Sequence, residues 1–183
     1  MKNIKLYRLC AWVLALLVCV SPLLAAPDVP DPTADFYVGD FADVLSDDVE
    51  QYIIEKNQSL EASTGAQIVV VTVDFLDGYD IDDYAVTLFN EWGIGSAESN
   101  NGYLILLAIA DENYYSVPGQ GIENVFTGGV VDDLQWNYLE EGFAAEDYDA
   151  GVRSYFDAVL DVFEEQYGPI SAVAPSTGTV QPE

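Results

Sequence analysis

The sequence contains no histidine, only 2 cysteines, and only 5 basic residues against 32 acidic ones, which gives a formal charge of −27. Without histidine, the chain has no Ser-His-Asp or Cys-His nucleophilic site and no zinc site built on imidazole. The scarcity of Lys and Arg argues against a nucleic-acid partner, because phosphate binding needs clustered basic side chains. Half of the 183 residues are hydrophobic, so the chain can still bury a core.

The first 25 residues have the order of a secretory signal peptide. Lys2, Lys5 and Arg8 precede the apolar run 9–20, and small residues follow up to Ala25. We predict cleavage after Ala25 and an extracytoplasmic protein, secreted or envelope-associated. The alternative is a retained leader that tethers the protein to the membrane, since about 20 apolar residues can cross a bilayer.

Cleavage would leave two basic residues, Lys56 and Arg153, against all 32 acidic residues, a formal charge of −30. Cys10 and Cys19 both lie in the leader, so the exported part would contain no disulfide. Such an acidic surface keeps an exported protein soluble, and it repels anionic lipid headgroups unless cations bridge them.

The rest of the chain divides into three parts. Residues 26–35 are rich in Pro and Asp and are predicted to be an extended tether. Residues 36–168 are predicted to form one domain, and residues 169–183 a small, polar, disordered tail. Within the domain, 67–73 and 103–109 are short apolar runs typical of strands buried on both faces.

Helical spacing of apolar residues predicts four helices, at about 47–64, 81–92, 131–141 and 152–167. The third helix is expected to bury Val131, Leu134, Tyr138 and Trp136. A hairpin strand, 114–117, is predicted to pair back on the second buried strand. Strands that alternate with helices predict an α/β fold, a three-layer α/β/α sandwich with a small mixed sheet.

The segment Gly119-Gln120-Gly121 begins like a dinucleotide-binding fingerprint, but Asn124 stands where that fingerprint has its third glycine. We therefore predict no bound nucleotide. The domain also has no histidine or cysteine, so neither haem nor zinc is expected.

Several short sequence blocks occur in a characteristic order along the domain. They are residues 38–46 (VGDFADVLS), 64–73 (TGAQIVVVTV), 84–85 (YA), 88–89 (LF), 92–95 (WGIG), 100–104 (NNGYL) and 119–123 (GQGIE). The ordered set resembles the TPM domain family, and the resemblance covers about residues 36–167.

The resemblance implies an exported α/β/α sandwich, often with a membrane tether. Family members include a thylakoid-lumen protein, a cyanobacterial protein linked to photosystem II repair, and an animal modulator of acetylcholine-gated channels. Some relatives bind calcium, and a plant member has weak acid phosphatase activity. The family shares no single established biochemical function.

Two positions depart from the family's pattern. Relatives often have an arginine after the hairpin aspartate, where this chain has Glu112, and an aspartate after the glycine-rich bend, where it has Gly128. The first change removes a candidate phosphate-binding side chain, and the second removes a possible oxygen ligand. Both changes weaken the phosphatase interpretation.

Asp40, Asn101 and Asp111 are the candidate metal ligands, in loops that flank predicted strands. All three offer oxygen atoms, which suit calcium. The alternative is that Asp40 and Asn101 are turn residues that bond to their own backbone, and that Asp111 only begins the hairpin.

The function predicted from the sequence is an acidic, calcium-binding interaction or accessory module of the cell envelope. Its expected partner is an unidentified envelope or membrane protein, with no nucleic acid. Two alternatives stay open, a metal-dependent acid phosphatase that uses only carboxylates, and a structural surface domain without a ligand.

Overall fold

The fold is built on a four-stranded mixed sheet, seen in a computed structural model that describes residues 26–170. The strands are β1 (Val38–Asp40), β2 (Gln67–Val73), β3 (Gly102–Ala108) and β4 (Asn113–Pro118), in the order β1-β2-β3-β4. The first three are parallel, and β4 pairs antiparallel with β3. The predicted leader, 1–25, and most of the predicted tail, 171–183, lie outside the described residues.

Helices cover both faces of the sheet. They are α1 (Asp47–Thr64), α2 (Ile81–Trp92), α3 (Gly128–Leu134), α4 (Glu140–Ala144) and α5 (Tyr148–Tyr167). On one face, Val69, Val71 and Leu104 pack against α2. The opposite side chains of the same strands, among them Val70 and Ile105, pack against α1 and α5. The three-layer α/β/α prediction is confirmed, and it explains why β2 and β3 are apolar on both faces.

Helix α1 begins and ends close to where the sequence predicts. Gly65 takes a left-handed conformation (φ 69°) just after the helix and donates its N–H to the Glu61 carbonyl. The start differs in detail, since the Ser46 side chain makes no capping hydrogen bond. Instead the Ser46 main-chain N–H donates to Asp149 Oδ1 at 2.9 Å, which ties the start of α1 to that of α5.

The predicted buried face of the third helix is confirmed at Val131 and Leu134 and is wrong at Trp136 and Tyr138. A π-helical turn, Gln135–Leu139, joins α3 to α4 and adds one residue to the helical repeat. The core-facing positions move accordingly, so that Gln135 and Leu139 are buried. Trp136 is 70% exposed and Tyr138 is 45% exposed, so neither belongs to the core.

The segment 26–35 lies against the face of the sheet covered by α2. The Trp92 indole Nε1 donates to the Pro30 carbonyl at 2.7 Å, and Val29 packs on the α2 side of the core. Thr33 Oγ1 donates to the Val38 carbonyl at 2.6 Å. The segment therefore forms part of the surface at the end of β1.

Among residues 26–170, no helix combines the length and the apolar character needed to span a membrane.

Candidate functional site

Three loops meet at one edge of the sheet, which we call the carboxyl edge because β1, β2 and β3 all end there. Asp40 is the last residue of β1 and lies in register with Thr72 near the end of β2. Val73 and Ala108 are paired at the ends of β2 and β3. The loops that begin at Asp40, Asp74 and Ile109 thus leave the sheet side by side, the usual position of ligand sites in α/β folds.

The Asp40 carboxylate holds the loop that leads into α1. Its Oδ2 accepts a hydrogen bond from the Leu45 N–H at 2.8 Å, and its Oδ1 accepts one from the Thr72 hydroxyl. Thr72 Oγ1 in turn accepts the Ala42 N–H at 3.2 Å. Each carboxylate oxygen of Asp40 therefore already has a protein donor.

Asp111 holds the next two loops together. Its Oδ2 accepts the Leu76 N–H at 2.7 Å, across from the loop that follows β2. Main-chain hydrogen bonds from Ile109 to Val73 and from Ala110 to Asp74 extend the pairing beyond the ends of the strands. In the described part of the chain, the second oxygen of Asp111 accepts no protein hydrogen bond and remains available to a ligand.

Asn101 lies at the opposite edge, because it precedes β3, whereas Asp40 ends β1 and Asp111 follows β3. Its side chain is buried, accepts the Ser96 N–H at 3.1 Å, and donates to the Thr64 carbonyl at 3.3 Å. The length of β3, at about 3.3 Å per residue, separates it from the carboxyl edge by roughly 20 Å. The structure brings Asp40 and Asp111 to one edge and leaves Asn101 out of their site.

A cavity of about 400 Å³ opens at the carboxyl edge, on the side of the sheet covered by α2. Three aspartates line it, Asp28, Asp74 and Asp77, together with the rings of Phe41 and Phe75. Phe75 is 59% exposed and Phe41 is 42% exposed. The cavity therefore combines negative charge with accessible aromatic surface.

The sequence profile of the TPM domain matches residues 38–162. The chain belongs to the TPM domain family. Among curated proteins, none matches it significantly.

Solved structures share the TPM fold at low sequence identity. The N-terminal domain of a P. gingivalis protein has a TM-score of 0.67 at 22% identity, over 75% of this chain and 88% of that one. The BA42 protein of Bizionia argentinensis has a TM-score of 0.59 at 19% identity, over 72% and 90%. The N-terminal domain of cg2496 from Corynebacterium glutamicum has a TM-score of 0.56 at 19% identity, over 86% and 93%. These likenesses establish the fold.

The described carboxylates of this TPM domain do not form a metal-chelating cluster. Within residues 26–170, no three acidic side chains lie close enough together to hold a metal ion by themselves. Calcium takes about six to eight oxygen ligands, which include main-chain carbonyls and water as well as carboxylates. Of the two candidate ligands at the carboxyl edge, Asp111 alone has an oxygen without a protein donor among the described residues, since both oxygens of Asp40 accept hydrogen bonds.

Negative charge is concentrated around Asp40. Burial raises the pKa of Glu50 in the first turn of α1, and the charges of Asp40, Asp47, Asp35 and Asp43 raise it further. Because the folded TPM domain forces these carboxylates together, a cation in their field would relieve part of the repulsion.

Replacing Glu50 by Gln should raise the unfolding temperature slightly at pH 7 and leave it unchanged near pH 4. The raised pKa of Glu50 means that the folded state binds this proton more tightly than the unfolded chain, whose pKa is about 4.5. Ionised Glu50 therefore costs stability above both pKa values, and the cost disappears as the pH falls through them. Melting curves at the two pH values measure the difference. Glu165→Gln, an exposed change on α5, is the control, and an equal gain there would contradict the local explanation.

The exposed aromatic residues of the TPM domain's cavity, Phe41 and Phe75, are absent from the sequence prediction. The available signal was a large apolar residue, Phe75, in a short loop that also contains Asp74, Asp77 and Gly78. The contribution of Asp28 had no local signal, because it depends on how the segment 26–35 packs on α2.

Proposed function

We propose that this TPM domain is an exported, acidic interaction module of the cell envelope that binds a protein partner at its carboxyl edge and responds to calcium. The observation that carries the proposal is the cavity lined by Asp28, Asp74 and Asp77 together with the exposed Phe75. An aromatic anchor within a polar rim is a common composition of protein-binding surfaces.

Export is supported by the leader sequence. Residues 1–25 have the basic start, apolar middle and small-residue end of a signal peptide. We propose cleavage after Ala25, and a retained leader would make the same domain membrane-tethered. Mass spectrometry of the protein purified from the envelope fraction distinguishes the two by its N-terminal residue.

Millimolar calcium should raise the unfolding temperature of the cleaved chain by several degrees. The folded state alone brings Asp40, Asp111 and their acidic neighbours to one edge, so calcium should bind it in preference to the unfolded chain. At a free concentration of 100 times the dissociation constant, such binding adds about 2.7 kcal/mol to the free energy of unfolding. Differential scanning fluorimetry across a calcium series measures the shift.

Two other salts serve as controls that distinguish a specific calcium site from general screening of the negative charge. Magnesium at the same concentration and sodium chloride at matched ionic strength should give smaller shifts, since magnesium prefers strict octahedral geometry and keeps its waters. Asp111→Asn should remove most of the excess due to calcium and keep an oxygen for the Leu76 N–H. Equal shifts with all three salts would leave screening as the only effect.

The partner should be captured from envelope extracts in a way that depends on Phe75. Phe75→Ala removes the exposed ring at the cavity, whereas Val86→Ala trims an apolar side chain that is 47% exposed on α2. We expect the wild type and Val86→Ala to retain the same protein and Phe75→Ala to lose it. Retention by all three, or by none, would argue against this surface and favour a structural domain without a ligand.

No contact in the described residues favours the phosphatase alternative. A phosphate monoester needs positive charge around it, from basic side chains or from metal ions, and the two basic side chains in that range, Lys56 and Arg153, both lie over the ring of Tyr52. We therefore do not propose catalysis. The purified chain should release no phosphate above the level of the triple variant Asp40→Ala, Asp74→Ala, Asp111→Ala.

A further inference from the structure

A second cavity, of about 530 Å³, opens on the other side of the sheet, between the β3–β4 turn and the helices α4 and α5. The side chains that line it include three aromatic rings and three glutamates: Tyr114, Phe143, Tyr148, Glu112, Glu140 and Glu146. We call it the aromatic cavity.

The rings of the aromatic cavity meet nearly at right angles. The centroids of Tyr114 and Phe143 are 5.1 Å apart with an interplanar angle of 80°. Those of Phe143 and Tyr148 are 5.7 Å apart with an angle of 71°. Rings packed edge to face do not form a flat stack, so the aromatic side chains line the cavity in more than one plane.

The glutamates give the same cavity a strong negative field. Glu140 Oε2 accepts the Tyr114 hydroxyl at 2.6 Å, which leaves its other oxygen available. Burial raises the pKa of the Tyr148 hydroxyl, and the charges of Glu146 and Glu112 raise it further, so both carboxylates act on that ring. Residues 26–170 place no basic side chain in the cavity wall. No basic side chain of the described residues therefore neutralises these carboxylates at the cavity wall.

The combination of aromatic rings and carboxylates indicates the class of ligand that the aromatic cavity would bind. Aromatic rings offer no ligand to calcium or magnesium, and in the described chain no three carboxylates are close enough to chelate an ion. An organic cation uses both features, since its charge is attracted to ring faces and to carboxylates. Among such cations a guanidinium fits best, because its planar group stacks on rings and its N–H groups form paired bonds to carboxylates.

The same chain shows this recognition within its own fold. Tyr52 donates its hydroxyl to Asp157 Oδ1 at 2.6 Å, and the guanidinium carbon of Arg153 lies 3.8 Å from the centre of the Tyr52 ring. The Tyr114–Glu140 pair in the aromatic cavity repeats this tyrosine–carboxylate arrangement with the same hydrogen-bond length, 2.6 Å.

We propose that the aromatic cavity binds the guanidinium of an arginine side chain presented by a partner polypeptide. The inference rests on the proposed interaction role, for which it names the chemistry of the partner, and it does not depend on calcium. Partner arginine would lie among Tyr114, Phe143 and Tyr148 and bond to the carboxylates at the rim.

The test uses the chain from residue 26 to 183 and the peptide acetyl-Gly-Arg-Gly-amide, followed by NMR chemical shifts at about 0.15 M salt. The same peptide with citrulline keeps the shape and removes the charge, and the lysine peptide keeps the charge and removes the planar group. We expect saturable shifts at Tyr114, Phe143 and Tyr148, strongest with arginine, weaker with lysine and absent with citrulline. Equal shifts with arginine and citrulline, or none at the aromatic cavity, would overturn the proposal.

A matched pair of variants separates the site from the overall charge. The double variant Glu112→Gln, Glu146→Gln removes two exposed carboxylates at the cavity, whereas Glu98→Gln, Glu123→Gln removes two exposed carboxylates elsewhere. We expect the first to weaken arginine-peptide binding by about fivefold or more and the second to leave it unchanged. Equal weakening by both double variants would mean that the peptide responds only to the overall negative charge, and it would overturn the proposed site.

The peptide titration and the capture from envelope extracts test different proposals, so either one can fail while the other succeeds. Site-specific peptide binding without a captured envelope partner would support the aromatic cavity and count against the proposed function at the carboxyl edge. A captured, Phe75-dependent partner without peptide binding would do the reverse.

Discussion

Replacing Asn57 by Leu is expected to lower the free energy of unfolding by about 2–5 kcal/mol. Asn57 is fully buried on α1 and bonds to both polar main-chain groups of Ile68. Its Oδ1 accepts the Ile68 N–H at 2.8 Å, and its Nδ2 donates to the Ile68 carbonyl at 2.8 Å and to the Ile53 carbonyl at 3.0 Å. A leucine would fill similar space and satisfy neither group of Ile68.

The expected loss of stability is large because β1 begins opposite Val70 and leaves Ile68 without a neighbouring strand on that side. Along β2, the Val70 N–H bonds to the Tyr37 carbonyl and the Thr72 carbonyl accepts the Phe41 N–H, so alternate residues of β2 face β1. Ile68 faces the same side, but β1 starts opposite Val70. Asn57 therefore takes the place of the missing strand, and each buried main-chain group it satisfies would otherwise cost about 1–3 kcal/mol.

Urea unfolding of the cleaved chain, followed by circular dichroism, measures the loss as a lower midpoint. Asn90→Leu is the matched control, because Asn90 Nδ2 donates to the Val86 carbonyl at 2.8 Å on the exposed face of α2. The control should change the free energy of unfolding by about 0.5 kcal/mol or less. A loss below about 1 kcal/mol for Asn57→Leu would contradict the role assigned to it.

Asn57 also shows how far the sequence predicts the fold. The apolar residues of α1 and Gly65 after it have a local pattern, which fixes the helix and its end. The two-sided burial of β2 is likewise encoded locally, as an unbroken apolar run. A polar residue on the buried face of α1 contradicts that pattern, and only the tertiary structure supplies its partner, 11 residues further along.

The site is less predictable because its parts come from distant segments. Asp40 and Asp111 follow parallel strands, so topology alone places them at one edge. Asn101 looks equivalent in the sequence, but it precedes β3 and lies at the other edge. The aromatic cavity joins Tyr114 to Phe143 and Tyr148. The π-helical turn at Gln135–Leu139, which has no local signal, shifts the residues that follow it by one position.

Gly121→Ala is expected to lower the free energy of unfolding by about 3 kcal/mol. A Cβ atom at this position would lie 1.7 Å from the Ser99 carbonyl oxygen and 3.1 Å from that of Asn100. Both obstacles are main-chain atoms, which cannot rotate away. The Gly121 N–H also donates to the Asn100 carbonyl at 2.9 Å, so moving the two loops apart to admit a methyl group would break that bond.

Gly129→Ala is the control for this change, because it adds the same methyl group where nothing outside its own stretch of helix lies within 4 Å. Gly129 is in α3, so alanine there should stabilise the protein by up to about 1 kcal/mol, and the two substitutions should have opposite signs. Urea midpoints of both variants decide this, and a neutral Gly121→Ala would mean that the two loops are not in close contact.

The glycine substitution also distinguishes packing from ligand binding at Gly119-Gln120-Gly121. The bend lies beside Asn100 and Gly102, at the start of β3, and both cavities lie toward the other end of that strand. If the glycines serve only close approach of the two backbones, Gly121→Ala should lower stability while the folded fraction binds arginine peptide with unchanged affinity. NMR titration of the variant below its unfolding midpoint measures this, and a loss of affinity in the folded fraction would show that the bend also supports the binding surface.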